Sequence, residues 1–274
     1  MLRANFPTVI FIQIEDNVGF AKANNLAANL ATGDNLLLLN PDTIFLEDSP
    51  RIMLSAVSSL ENLGVAGCRL LNRDHTLQTT SVQAFPTILN QLFDSEWLRN
   101  RFPRWRMWGI ESLYSKALTP ARVETISGAC MLLPNAVFKQ VGGFTESYFM
   151  YAEDVDLCFK IQQTGRHVYY VPTTHLVHLG GSSSSQAASD FSTIMMRQSI
   201  FTFLKVRRGS LTAGLYRCTM AASAACRISI LLLLKGLGSK TASNRSQSIK
   251  KWKAVLSWAL SEPNGRAHAV SKVF

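Results

Sequence analysis

Between residues 9 and 68 the chain alternates short apolar runs with helix-like stretches, and this alternation restricts it to few folds. Residues 9–14 are rich in β-branched side chains and read as a buried strand. Residues 17–31 read as a turn followed by a helix, ended by Gly33 and Asp34. Residues 36–39 are four consecutive leucines, closed by Asn40-Pro41-Asp42. Residues 50–63 have helical composition, and residues 64–68 form a third apolar run. Strand, helix, strand, helix, strand in this order predicts an α/β fold with parallel strands.

The remainder extends this pattern less evenly. Residues 72–125 hold Trp97, Trp105, Trp108 and several arginines without clean periodicity, so they read as a long connection with short helices. Residues 124–133 have a strand pattern, and residues 134–141 suit a short helix stopped by Gly142-Gly143. Residues 153–163 suit a helix stopped by Gly165, and residues 168–171 a strand stopped by Pro172. Residues 180–185 read as a Gly/Ser loop, and from about residue 191 the pattern is helical. The expected division is a domain over residues 1–205 and a helical tail over 206–274.

Charge sets that tail apart. Residues 1–196 carry 14 Lys/Arg against 17 Asp/Glu, whereas residues 197–274 carry 14 Lys/Arg against Glu262 alone. Such asymmetry points to an anionic partner. Residues 211–234 are strongly apolar but contain Arg217 and Arg227, which leaves no uncharged run near the 20 or so residues of a membrane span. A helix lying on an anionic membrane surface is the expectation, and nucleic acid is not, because aromatic–basic interleaving is missing. Five cysteines without a CxxC pair fit neither a disulfide framework nor a zinc knuckle, and predict a reducing compartment. The first residues carry no secretory-signal pattern, so the expected location is cytoplasmic, peripheral on the inner face of the cell membrane.

Three groups of residues can carry chemistry. Asp42 closes a strand, where ligands collect in parallel α/β sheets; it can bind a hard divalent cation, or it can simply cap the next helix, as Asp48 or Ser49 also could. Glu153, Asp154 and Asp156 open a helix; one of them can act as a general base, or all three can compensate the helix dipole. His175 and His178 have a spacing that metal sites use and that structural histidines share. The Gly/Ser loop after them could act as a lid.

The order of these patches resembles family 2 glycosyltransferases. The stretch Asn17-Val-Gly-Phe-Ala-Lys-Ala-Asn-Asn25 is followed by Leu37-Leu-Leu-Asn-Pro-Asp-Thr43 and Ser127-Gly-Ala-Cys-Met-Leu-Leu133. Then come Val141-Gly-Gly-Phe-Thr-Glu-Ser-Tyr-Phe-Met-Tyr-Ala-Glu-Asp-Val-Asp-Leu157 and His178-Leu-Gly-Gly-Ser-Ser183. The resemblance implies a GT-A, Rossmann-like mixed sheet flanked by helices. It implies that Asp42, at the last acidic position of a DxD-like Asn-Pro-Asp, binds Mg²⁺ or Mn²⁺ with His178. It implies that Asp154 is the base for the acceptor hydroxyl and that Glu153 helps place the acceptor. Asn17, Gly19 and Asn25 match the donor-side turn and helix, and Gly128 and Ala129 the strand beside the donor sugar.

The implied reaction is inverting transfer of a sugar, rhamnose first, from a nucleotide-diphosphate donor to a lipid- or glycan-linked acceptor in cell-surface polysaccharide synthesis. One departure from the family concerns the opening strand–helix–strand unit for the nucleoside, which members have before a segment like residues 6–11. The expectation is therefore an N-terminally incomplete sheet. Two rival readings follow: a catalytically inactive remnant, and a membrane-binding protein acting through its basic tail.

Overall fold

The computed structural model describes residues 2–180, 189–235 and 242–261. In chain order the elements begin with α1 (Leu2–Asn5), α2 (Gly19–Leu30), β1 (Asn35–Leu39), β2 (Thr43–Phe45), α3 (Ser49–Val57) and β3 (Leu63–Leu71). The connection that follows holds β4 (Val82–Gln83), α4 (Ile88–Leu92), α5 (Glu96–Arg101), β5 (Ala121–Val123) and β6 (Thr125–Ile126). The chain then forms β7 (Cys130–Pro134), α6 (Asn135–Gln140), α7 (Glu153–Gln163) and β8 (His167–His178). It ends in three long helices, α8 (Ser189–Arg208), α9 (Ser210–Lys235) and α10 (Ala242–Leu260).

The main sheet runs β1-β7-β3-β8-β2, with β5 also pairing with β8. It is mixed, not parallel throughout as the strand–helix alternation alone predicts. β3 and β8 are parallel, but β7 is antiparallel to both β1 and β3 and lies between them. The cause is the long connection over residues 72–129: β7 does not follow β3 through a single crossover helix, so no handed βαβ unit fixes its direction.

Both faces of this sheet are covered, which is why its strands read as unbroken apolar runs. Leu36, Leu38, Val65, Met131, Leu133, Val168 and Tyr170 pack with Ala21 and Ala28 of α2, Val137 and Phe138 of α6, and Leu157 and Ile161 of α7. Ala66, Cys68, Leu70, Cys130, Leu132, Tyr169 and Val171 pack on the other side against Met53 and Val57 of α3. A third cluster joins α8, α9 and α10 to Tyr148 and Ala152, just before α7.

Three local expectations are corrected. Residues 10–14 form no strand, and Val9, Ile10, Phe11, Ile12 and Ile14 are exposed. A β-rich segment gains nothing from extension without a neighbour, and the outer edge of β1 has no strand partner among the described residues. Residues 124–133 are not one strand: Ser127-Gly128-Ala129 interrupts it between β6 and β7. Pro172 does not stop β8, because the β3–β8 register shifts between Cys68/Val171 and Arg69/His175, and that irregularity needs no N–H from the proline. Apart from Gly180, the loop expected at residues 180–185 lies outside the described residues.

Candidate active site

The carboxyl end of β1, the start of α7 and the end of β8 meet around one short loop. After Leu39 the chain turns through Asn40-Pro41-Asp42, and Thr43 Oγ1 donates back to the Asn40 carbonyl over 2.7 Å. β2 then pairs with the last residues of β8, placing Thr43 opposite His178. His178 Nε2 comes to lie 3.3 Å from Asp42 Oδ1 and 3.4 Å from Asn40 Nδ2.

The other ring nitrogen fixes the tautomer. His178 Nδ1 lies 2.9 Å from Gln78 Oε1, while Gln78 Nε2 donates to Asn72 Oδ1 over 3.2 Å. With its amide nitrogen so engaged, Gln78 offers an oxygen, and Nδ1 must carry the proton. In a singly protonated ring this leaves the Nε2 lone pair on the side of Asp42. An imidazole nitrogen beside a carboxylate oxygen, with the second ring nitrogen held by a polar side chain, is a donor set that suits a divalent cation. Asn40 Oδ1 is buried without a hydrogen-bond partner beside this pair. Among the described residues no third His, Cys, Asp or Glu joins a group with them, so a cation here would draw further oxygens from water or a bound diphosphate.

His175 belongs elsewhere. Three residues from His178 on one strand, it faces the opposite side of the sheet. Its Nδ1 lies 3.3 Å from Glu47 Oε1. The Thr174 hydroxyl and the His175 N–H hold the Glu47 carboxyl below the ordinary range.

The interruption between β6 and β7 is the loop that ties both acidic positions together. Asn40 N donates to the Ala129 carbonyl over 3.0 Å, and Gly128 N donates to Asp154 Oδ2 over 2.8 Å. Asp154 Oδ1 accepts from Val155 N, also over 2.8 Å. A Cβ on Gly128 would stand 3.3 Å from the Asp154 Cβ, so this loop lies against the carboxylate with little room for a side chain. Burial raises the Asp154 carboxyl above its ordinary range, against the pull of those backbone N–H groups.

Glu153 is buried at 7% exposure, and its Oε2 has no hydrogen-bond partner. Burial first, and the neighbouring Asp154 second, push it up to about 8. At neutral pH Glu153 therefore holds a proton. Tyr151 and Ala152, immediately before α7, both adopt the left-handed region at φ 70° and 62°. Two consecutive non-glycine residues there store strain, on the order of 1–3 kcal/mol each, and aim the first turn of α7 at the loop.

At the positions expected to face the donor, Asn17 Oδ1 accepts from Gly19 N over 3.2 Å and shapes the entry to α2. Gly19 has φ 79°, and a Cβ there would meet the Phe149 carbonyl at 2.6 Å. The start of α2 thus lies against the segment leading into α7. Asn25 is committed to the fold: Nδ2 donates to Phe144 O and Glu146 Oε1, and Oδ1 accepts from Phe144 N. Ala129 is buried, and its N–H donates to Ser127 Oγ.

Sequence reasoning missed Gln78, which comes from the connection without periodicity. It also missed the partner of Asp156. This carboxylate, on α7, is fully buried and accepts from Arg207 Nε at 2.6 Å and Nη2 at 2.9 Å, and from the hydroxyls of Thr145 and Tyr148. The pair fastens α8 to the helix that carries Asp154. Asp156→Ala leaves a guanidinium unpaired, and is expected to destabilise the protein by about 3–5 kcal/mol in denaturant unfolding. A loss under about 1 kcal/mol would mean the pair is screened like a surface bridge.

A mixed sheet flanked by helices, with acidic groups at the carboxyl end of β1 and at the head of α7, is the architecture of GT-A glycosyltransferases. Residues 2–191 match the model of the glycosyltransferase-like family 2, and the chain belongs to that family. The rhamnosyltransferase WbbL of Escherichia coli K12 is 31% identical over 170 residues, 58% of this chain and 60% of that protein. The chain thus spans about three fifths of that relative. The N-acetylglucosaminyl-diphospho-decaprenol L-rhamnosyltransferase of Mycobacterium tuberculosis is 25% identical over 244 residues, 83% of this chain and 76% of that protein. The mannosyltransferase PcManGT from Pyrobaculum calidifontis, solved with GDP-Man and Mn²⁺, superposes with a TM-score of 0.52 at 14% identity, over 94% of this chain and 70% of that one.

Proposed function

We propose that this chain transfers a hexosyl group, rhamnose first, from a nucleoside-diphosphate donor to a lipid- or glycan-linked acceptor with inversion. The observation that carries this reading is the loop at Gly128 and Ala129, which bonds the Asp154 carboxylate on one side and Asn40, two residues from Asp42, on the other. One group suited to removing a proton and one pair suited to a cation on a leaving diphosphate are thus linked through the same loop. The names of the E. coli and M. tuberculosis relatives support rhamnose as the sugar, and the decaprenol in the second supports a lipid-linked acceptor.

In this reading Asp154 accepts the proton of the acceptor hydroxyl as its oxygen bonds to the anomeric carbon. The bond from that carbon to the diphosphate breaks, and its electron pair leaves with the nucleoside diphosphate. Asp42 and His178 Nε2 would hold Mg²⁺ or Mn²⁺, which neutralises charge on the leaving group. Protonated Glu153 can donate to an acceptor oxygen and so help to orient it. Asn17 and Gly19 would line the donor side. In this reading a lipid-linked acceptor would put the work at the cytoplasmic face of the cell membrane.

The test incubates the full chain with Mn²⁺, a panel of nucleoside-diphosphate sugars including deoxythymidine-diphosphate rhamnose, and a polyprenyl-diphosphate-linked N-acetylglucosamine. Formation of a glycosylated lipid with release of nucleoside diphosphate is expected. Absence of transfer from every donor, in protein that binds nucleoside diphosphate, would reject the reading.

A further inference from the structure

The long apolar helix near the C-terminus is built inside out. α9 carries two charges within its apolar stretch, Arg217 and Arg227, and both turn inward. Arg217 is buried and donates to the Trp258 and Ala259 carbonyls at 2.8 and 3.1 Å, and to that of Ser261, where α10 ends. Arg227 lies 4.5 Å over the Trp252 ring and donates to Leu92 O. On the same side Ala213, Tyr216, Met220 and Ala224 pack into the cluster shared with α8 and α10.

Among the residues α9 exposes are Leu211, Leu215, Cys218, Ala222, Cys226, Ile230 and Leu233. Their spacing of three or four residues makes one stripe, about 33 Å long at 1.5 Å per residue, without a charged side chain. Leu211 is 80% exposed and Leu233 74%, and Leu260, 73% exposed, enlarges the patch at the groove. A groove of about 550 Å³ opens along the same stripe at Gly214 and Cys218, with Phe201 and Ala221 among its walls and Lys205 on its lining. Exposed Lys205 and Arg208 precede the stripe, and Lys251 and Lys253 on α10 are exposed nearby in the same bundle.

We infer that this stripe is a membrane-docking face, by which α9 lies in the plane of an anionic bilayer with its outer side among the acyl chains. The stretch Ser210–Leu233 is long and apolar enough to cross a membrane. A crossing would carry Arg217 and Arg227 into hydrocarbon and strip them from the carbonyls and ring they now engage, whereas an in-plane helix keeps both. A second copy of the chain is the other possible cover. Charge disfavours it, since the exposed Lys205, Arg208, Lys251 and Lys253 belong to a segment without exposed acidic residues among those described, so two copies repel each other while both attract anionic lipid. The inference goes beyond sugar transfer and does not depend on it.

Cys218 and Cys226 are exposed on the stripe, while Cys68, Cys130 and Cys158 are buried, so a thiol-reactive environment-sensitive fluorophore reports on this face alone among the five. The full chain, labelled, is mixed with vesicles of phosphatidylcholine and phosphatidylglycerol in equal parts. Flotation, a blue-shifted emission and quenching by nitroxide-bearing acyl chains are expected, the last two persisting in high salt. In unlabelled protein, Leu211→Ser/Leu215→Ser/Ile230→Ser, which touches only exposed positions, should reduce partitioning on the order of a hundredfold with an unchanged thermal transition. Unchanged flotation of that variant would overturn the inference. So would binding abolished by salt without a blue shift, and so would a lipid-free dimer that the three substitutions dissociate.

Discussion

Asp154→Asn is expected to lower turnover on the order of 10²–10⁴-fold while nucleoside-diphosphate binding persists, because in the proposed reaction it removes the proton acceptor. The choice of Asp154 over Glu153 follows from their surroundings. Glu153 is buried with an unpartnered oxygen and is pushed up to about 8, so it holds a proton at neutral pH. Asp154 faces the Gly128 and Val155 N–H groups, which favour its ionised form and leave it the carboxylate able to accept. A base works only when deprotonated. Burial lifts the Asp154 carboxyl above its ordinary range, so the acid limb of the pH–rate profile sits higher than an exposed aspartate would give. Activity is then lost as pH falls through that raised value, and Asp154→Asn abolishes the limb with the turnover. An asparagine amide can satisfy only one of the two N–H groups with its oxygen, so thermal unfolding and calorimetric donor binding accompany the kinetics. Wild-type turnover in a folded variant would remove Asp154 from the role of base.

The elements that were legible in the sequence are those whose signal is local. The leucines of β1, the acidic opening of α7 and its stop at Gly165 are written in consecutive residues, and each lies within a residue or two of its expected place. The run at residues 9–14 has an equally strong local pattern and forms no strand, because a strand also needs a neighbour and composition does not supply one. β8 runs the other way: Pro172 is a local stop, and the pairing of β8 with β2 and β3 on either side carries the strand past it. The same distinction applies to the site. Asp42, Asp154 and His178 stand in recognisable motifs, whereas Gln78 reaches His178 across 100 positions, through a bridge between Leu71 and Leu77 that leaves no periodic trace. Asp156 shows the limit of spacing rules, since sharing an acidic cluster with Asp154 did not reveal that it is bound to Arg207, 51 residues away. Its neighbours in three dimensions, not its place in the motif, decide that it serves the fold.

Asp42→Ala should abolish the metal dependence of donor binding. The carboxylate stands 3.3 Å from His178 Nε2, a separation at which one cation can be shared by both donors, each about 2.1 Å from it. Neither group alone offers a hard cation a comparable site, so removal of the carboxylate leaves a single imidazole, too weak to retain the cation whose charge would offset the diphosphate. Titration of Mn²⁺ with a nucleoside diphosphate into wild-type protein should show the two binding cooperatively, and the variant should lose that coupling by about a hundredfold or more. Gln78→Ala separates coordination from mere packing. It leaves Asp42 and His178 both in place, yet it releases Nδ1, frees the ring to turn and leaves the tautomer unset, which is expected to weaken Mn²⁺ binding about 10–100-fold. Under a purely structural role for the Asp42–His178 contact, both variants would lower the unfolding temperature and leave the Mn²⁺ titration of the remaining folded protein unchanged. That outcome would end the metal assignment. Graded loss, larger for Asp42→Ala than for Gln78→Ala, at nearly constant stability, is the pattern that a carboxylate ligand and an outer support of the histidine ligand together require.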